Sequence, residues 1–143
     1  MNMETIPRAR WVSGQEPARI LIIDDSALVR LYYRYLLERE GYEVEEAING
    51  IEGLEKVFRM RFSLCVVDVN MPMMDGHRFL RALREEAMTR GMPALVTTTQ
   101  AGENDRLAAR AAGADAYLVK PVQGDLLAVQ VAALLGRALR RDV

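Results

Sequence analysis

The sequence predicts one α/β domain, a five-stranded parallel sheet with helices on both faces. Three observations predict it. Five short strand-like segments, four of them apolar, alternate with stretches of helical periodicity. The connections between them are tight, as repeated strand–helix–strand crossovers require. Four charged residues, Asp24, Asp25, Asp68 and Lys120, close three of the runs, at the sheet edge where such folds build their sites. A chain of 143 residues, half of them apolar, can bury one respectable core and is short for two.

Arg19–Ile23 (RILII) reads as a buried strand ending at Asp24. Ser26 is placed to cap a helix in which Val29, Tyr32, Tyr33 and Leu36 recur at helical spacing, and Gly41 stops it. Tyr42–Ala47 is the second strand, followed by the Asn49–Gly50 turn and a helix carrying Ile51, Leu54, Val57 and Phe58 on one side. Leu64–Val67 is the third strand and ends at Asp68. The segment Val69–Gly76 is a loop, because Pro72 and the Asp75–Gly76 pair interrupt either periodicity. The spacing then predicts a helix over His77–Met88, a fourth strand over Pro93–Thr98 and an Ala-rich helix over Asp105–Ala112 stopped by Gly113. Ala116–Val119 is the fifth strand, and the last helix runs from about Gly124 to Arg140.

The 19 basic and 20 acidic residues nearly cancel, so the whole-chain charge carries no nucleic-acid footprint. The longest apolar runs fall far short of a membrane span, and the N-terminus lacks the basic-then-apolar layout of a secretory signal. A cytoplasmic protein without a membrane or nucleic-acid partner is expected. The lone cysteine, Cys65, lies inside an apolar run and reads as a small buried hydrophobe. Residues 1–18 hold two prolines, a glycine and no sustained periodicity, and read as a flexible arm before a domain spanning 19–141.

The strand-end residues carry the chemistry. Asp24, Asp25 and Asp68 offer hard oxygen ligands, which suit Mg²⁺, or Mn²⁺, better than a soft metal. A backbone carbonyl from the following loop would add a further oxygen and leave positions open for a phosphoryl group. The competing reading of Asp24–Asp25 is simple capping of the next helix. Lys120, held extended by Pro121, can aim an ammonium at the carboxylates and bind a phosphoryl oxygen, and Thr98 can offer a hydroxyl to the same oxygen. There is no GxxxxGK[ST] loop and no GxGxxG after the first strand. Ser26 has no evident histidine partner, and His77 stands alone.

These residues resemble the receiver domain of bacterial two-component response regulators, particularly the small stand-alone, chemotaxis-type (CheY-like) regulators. The likeness spans about Ala18 to Arg140 and rests on Asp24–Asp25, Asp68, the loop Met71–Gly76, Thr98 and Lys120–Pro121. Asp68 follows Asp25 by 43 residues and precedes Lys120 by 52, both ordinary separations for that family. The resemblance implies a flavodoxin-like (βα)5 receiver fold with Asp68 as phospho-acceptor. It implies Mg²⁺ held by Asp24, Asp25, Asp68 and the backbone carbonyl of Asn70, with Lys120 and Thr98 on the phosphoryl group. It further implies a sensor histidine kinase or histidine phosphotransfer protein as donor, self-catalysed phosphorylation and dephosphorylation, a cis Lys120–Pro121 peptide, and a switch pair, Thr98 and Tyr117. A downstream protein would read the face built from the fourth helix, fifth strand and fifth helix, with the chain a monomer or weak dimer. Asn70 and Gln100 occupy positions that tune dephosphorylation in the family, and both are uncharged here.

The expectation is therefore a single receiver acting as a signalling switch, with no output domain after the final helix. Three alternatives stand beside it. An isolated receiver of a larger regulator would look almost identical. A pseudo-receiver would keep the fold without taking a phosphoryl group. An aspartyl-nucleophile phosphatase would need a second carboxylate near Asp68, where the loop offers Asn70.

Overall fold

The computed structural model describes residues 16–136. Five strands and five helices alternate along it: β1 (Arg19–Ile23), α1 (Ala27–Arg39), β2 (Glu43–Ala47), α2 (Gly50–Val57), β3 (Leu64–Asp68), α3 (Gly76–Glu85), β4 (Ala94–Thr98), α4 (Glu103–Ala112), β5 (Ala116–Val119) and α5 (Gly124–Leu135). All strand pairs are parallel, in the order β2-β1-β3-β4-β5. That is the flavodoxin-like doubly wound order, whose direction of winding reverses between β1 and β3. The register sets Ile23 beside Val67 and Thr98 beside Val119, so the strand ends rise to one edge.

Side chains alternate across each strand, and the sheet therefore feeds two cores. Ile20, Ile22, Leu64, Val66 and Leu95 pack against Tyr33, Leu36 and Leu37 of α1 and Leu127 and Val131 of α5. Leu21, Ile23, Cys65, Val67 and Val96 pack against Val57, Phe79, Leu80, Leu83 and Ala109 on α2, α3 and α4. Burial on both faces is why β1, β3 and β4 read as continuous apolar runs. The edge strand β2 carries Glu43, Glu45 and Glu46 instead, and Glu46 takes Arg30 at 2.8 Å and Arg34 at 2.6 Å. Charge of this kind blunts an open sheet edge.

Ser26 caps α1 as expected, accepting from the Val29 amide at 3.2 Å, and Gly41 ends the segment at φ 96°, where only glycine is unstrained. Helices α2, α3 and α4 depart most from the sequence reading. Helix α3 begins at Gly76 and stops at Glu85 rather than Met88, because the buried Thr89 hydroxyl donates to the Leu83 carbonyl and Arg84 donates to the carbonyls of Arg90 and Met92. These bonds close a turn where the helix would have continued. Helix α4 starts two residues early, at Glu103, with Glu103 and Asp105 both placed at its positive end. In α2, Ile51 and Phe58 are 41% and 52% exposed, and the buried positions are Gly50, Gly53 and Val57. A Cβ on Gly53 would lie 2.8 Å from Ile23 Cδ1, so the glycine lets α2 approach the sheet closely.

Residues 1–15 of the expected arm and 137–140 of the expected last helix lie outside the described residues. Among those described, no helix is long and apolar enough to cross a membrane.

Candidate functional site

The carboxyl edge of the sheet brings the predicted residues together. Asp24 leaves β1, Asp68 is the last residue of β3, Thr98 the last of β4, and Lys120 follows β5. Asp24 is 1% exposed and has every group engaged. Its Oδ1 accepts from the Ser26 amide at 2.9 Å, its Oδ2 accepts from Lys120 Nζ at 2.8 Å, and its carbonyl accepts from Arg30 at 2.8 Å. Lys120 Nζ also lies 3.3 Å from Asp68 Oδ1. Asp25 is exposed, yet one carboxylate oxygen from each of Asp24, Asp25 and Asp68 falls within 4.8 Å of the others.

Burial pushes the Asp68 carboxyl above the usual carboxylate range, and the neighbouring Asp24 adds to the rise against the opposing Lys120 ammonium and Asn70 backbone amide. For Lys120 burial pulls the other way, but the hydrogen bond to Asp24 and the charges of Asp24 and Asp68 outweigh it, and the ammonium is held above its ordinary range. The two directions agree once the distances are considered. Lys120 bonds Asp24 more closely than Asp68, so Asp68 feels a buried carboxylate beside it while receiving the weaker half of the cation. One ammonium thus pairs with two of three clustered carboxylates, an excess of negative charge on hard oxygens that fits a small divalent cation such as Mg²⁺.

Thr98 is 1% exposed; its hydroxyl accepts from the Gln100 amide at 3.1 Å, and its carbonyl accepts from the Lys120 amide at 2.7 Å. The Lys120–Pro121 peptide is cis. Tyr117 is half-buried on β5. Its hydroxyl donates to the Gln100 carbonyl at 2.5 Å, and the Arg106 guanidinium sits 4.8 Å over its ring. Thr98 and Tyr117 are therefore tied to the same residue of the β4–α4 loop. Asn70 is exposed in the loop after β3, and His77 lies in the first turn of α3.

Two contributors escaped the sequence reading, together with the reason for Gly76. Arg30 holds the Asp24 carbonyl and Glu46 together; its signal was the Arg30/Arg34 pair one helical turn apart, facing an acidic edge strand. Tyr33 lies under the site, where burial pushes its hydroxyl up to about 12, with Lys120 opposing and Asp24 adding to the shift. Gly76 lets the loop close: a Cβ there would lie 2.5 Å from the Asp68 carbonyl oxygen.

Residues 20–132 match the response regulator receiver domain. The chain belongs to the response regulator receiver family. The receiver is 38% identical over 120 residues to the transcriptional regulatory protein ResD of Bacillus subtilis, covering 84% of this chain and 49% of that protein. It is 42% identical over 124 residues to the response regulator MprA of Mycobacterium leprae, covering 87% of this chain and 54% of MprA. The chain thus spans about half the length of these curated relatives. Among solved structures, the chemotaxis response regulator CheY4 of Vibrio cholerae superposes with a TM-score of 0.80 at 34% identity, covering 83% of this receiver and 99% of CheY4. Family membership and the Asp-centred cluster together support a signalling function based on phosphorylation.

Proposed function

We propose that this receiver is a phosphorylation switch in which Asp68 accepts a phosphoryl group from the phosphohistidine of a sensor histidine kinase or histidine phosphotransfer protein. The observation that carries the reading is the Lys120 ammonium, 2.8 Å from Asp24 and 3.3 Å from Asp68, inside a three-carboxylate cluster. An Asp68 oxygen forms the new bond to phosphorus as the donor's phosphorus–nitrogen bond breaks, and the electron pair leaves on the imidazole nitrogen. Water later cleaves the acyl phosphate to phosphate and the free carboxylate. Asp24, Asp25, Asp68 and the Asn70 backbone carbonyl would hold Mg²⁺, or Mn²⁺, which neutralises charge on the phosphoryl oxygens when bound. Lys120 positions a phosphoryl oxygen from the other side, and the Thr98 hydroxyl turns from the Gln100 amide to the same group.

That movement is the proposed switch. Thr98 and Tyr117 both bond Gln100, so recruiting Thr98 frees the loop that anchors the tyrosine hydroxyl. Phosphorylation would then select a second packing of the face formed by α4, β5 and α5, which a target protein reads. The likeness to CheY4, a chemotaxis response regulator 99% of which is covered, supports a receiver that signals by itself; the proposed output is protein binding, with a monomer or weak dimer as the working form. The relatives of about twice the length support the same receiver as one part of a larger regulator.

The test is intact mass before and after incubation with acetyl phosphate, with and without Mg²⁺. One labile phosphoryl adduct is expected, dependent on metal and absent from Asp68→Asn. An adduct that persists in Asp68→Asn would remove Asp68 as acceptor. No adduct from acetyl phosphate or from a phosphorylated histidine donor would make the chain a non-phosphorylated binding module.

A further inference from the structure

Arg106, on α4, closes a circuit of contacts that runs from β4 through the β4–α4 loop to β5. The Gln100 amide donates to the Thr98 hydroxyl at 3.1 Å, and the Gln100 carbonyl accepts from the Tyr117 hydroxyl at 2.5 Å. The Arg106 guanidinium then lies 4.8 Å over the Tyr117 ring. The backbone returns from Arg106 to the loop through the first turn of α4, where the Arg106 amide donates to the Gly102 carbonyl. Tyr117 is therefore held twice, by its hydroxyl on the loop and by its ring on the helix.

The guanidinium is committed to the ring rather than to an acid. Arg106 is exposed, and among the described residues it forms no ion pair, although Glu103 and Asp105 lie in the first turn of the same helix. A cation over an aromatic face is attracted by the ring quadrupole. Arg110, one turn further along α4, borders the same hollow beside Tyr117 without lying over the ring.

The two attachments answer differently to the acidic site. Drawing Thr98 to a phosphoryl group disturbs Gln100 and so the hydroxyl, but leaves the contact on α4 in place. The ring can leave only when that contact is given up as well.

We propose that Arg106 is a positioning residue for the switch, holding the Tyr117 ring to α4 and biasing the unphosphorylated receiver toward its resting packing. The inference rests on the reading of Asp68, Thr98 and Tyr117 given above and adds the contact that sets the threshold. A contact made in one of two packings weakens, by its own factor, every ligand that selects the other. For an exposed cation over a ring that factor is about 2–5.

The test uses the full chain, with beryllofluoride and Mg²⁺ standing in for the phosphoryl group and 3-fluorotyrosine as the reporter. In Arg106→Gln the half-saturating beryllofluoride concentration should fall by about 2–5-fold. Loss of a positive charge alone would weaken binding of an anion, so the expected change has the opposite sign. Arg106→Lys, which keeps the cation, should stay close to the unsubstituted protein, and Arg110→Gln should not fall. An unchanged or higher midpoint in Arg106→Gln overturns the latch, and so does an equal fall in Arg110→Gln. The resting state gives a readout that needs no phosphoryl group. The Tyr117 fluorine resonance, identified by its absence from Tyr117→Phe, should gain an exchange contribution to its relaxation in Arg106→Gln and not in Arg110→Gln. Identical relaxation in the two variants overturns the latch whether or not beryllofluoride binds. Failure of beryllofluoride to bind the unsubstituted protein would instead count against Asp68 as acceptor, with the latch decided by the relaxation.

Discussion

The Lys120 ammonium lies against two buried carboxylates, and its closer bond to Asp24 leaves Asp68 the less compensated of the pair. Because burial and Asp24 raise the Asp68 carboxyl in the folded chain, the fold disfavours its ionised form. The sign follows: above the unfolded carboxyl range of about 4, an ionised Asp68 subtracts from stability. Asp68→Asn removes the charge and keeps the shape, so in metal-free buffer its melting temperature should rise by a few degrees, measured by calorimetry. Added Mg²⁺ should raise the melting temperature of the unsubstituted protein and do much less for the variant, because a ligand stabilises only the state that binds it. A melting temperature that falls in metal-free Asp68→Asn would show that Lys120 over-compensates the cluster. The four charged residues were legible in the sequence because each ends an apolar run, and a parallel sheet sends all such ends to one edge. Arg30 and Tyr33 were not, since their part depends on the rotation of α1 against the sheet, which puts one on the Asp24 carbonyl and the other beneath the site.

At the scale of elements, the site depends on how tightly the β3–α3 loop returns over the strand that carries Asp68. The Gly76 amide donates to the Val69 carbonyl at 2.9 Å, and Asp75 caps α3 by accepting from the Arg78 amide at 2.9 Å. The Asp75–Gly76 pair was legible as a turn, but the reason for glycine was not: a Cβ would meet the Asp68 carbonyl oxygen at 2.5 Å and Val69 Cα at 2.9 Å, both backbone atoms that cannot swing aside. Gly76→Ala should therefore shift the loop, cost about 1–3 kcal/mol in urea unfolding and slow phosphorylation by acetyl phosphate. Gly91, with nothing within 4 Å of its Cβ position and no positive φ, is the control. Gly91→Ala should be neutral or stabilise by up to about 1 kcal/mol through the unfolded chain. Equal losses at the two positions would rule out the close approach as the cause. The same logic explains the misplaced boundaries. Helical periodicity continues to Met88, yet the Thr89 hydroxyl captures the Leu83 carbonyl that the Ala87 amide would have needed, and the Arg84 guanidinium ties down the Arg90 and Met92 carbonyls of the following turn.

Across the whole molecule, each of the two cores on opposite faces of the sheet holds a titratable group that burial keeps neutral. Cys65 lies with Leu21 and Phe79 on one face, its thiol pushed up to about 12 by burial; Tyr33 lies with Ile20 and Leu127 on the other, its hydroxyl also pushed up to about 12 by burial. The two-core architecture was legible because apolar runs in a parallel sheet must be covered on both faces. That Cys65 is inert follows from its run, whereas the Tyr33 environment required the packed fold. In the unfolded chain these groups titrate near about 8.5 and 10. Below pH of about 8.5 both states hold both protons and the full stability is present. Above it the unfolded chain releases the thiol proton while the native state keeps it, and above about 10 the tyrosine does the same. Each group then lowers stability by about 1.4 kcal/mol per pH unit until the native value is reached. Urea unfolding at successive pH values should show stability falling from about pH 9 and more steeply beyond 10, with Cys65→Ala abolishing the first part of the slope. Native protein at pH 8 should leave the thiol unmodified by a disulfide reagent, and urea should expose one reactive group. Rapid modification without urea would mean that the α2–α3–α4 face opens on its own, and the stability of that core would then have to be sought outside the sheet.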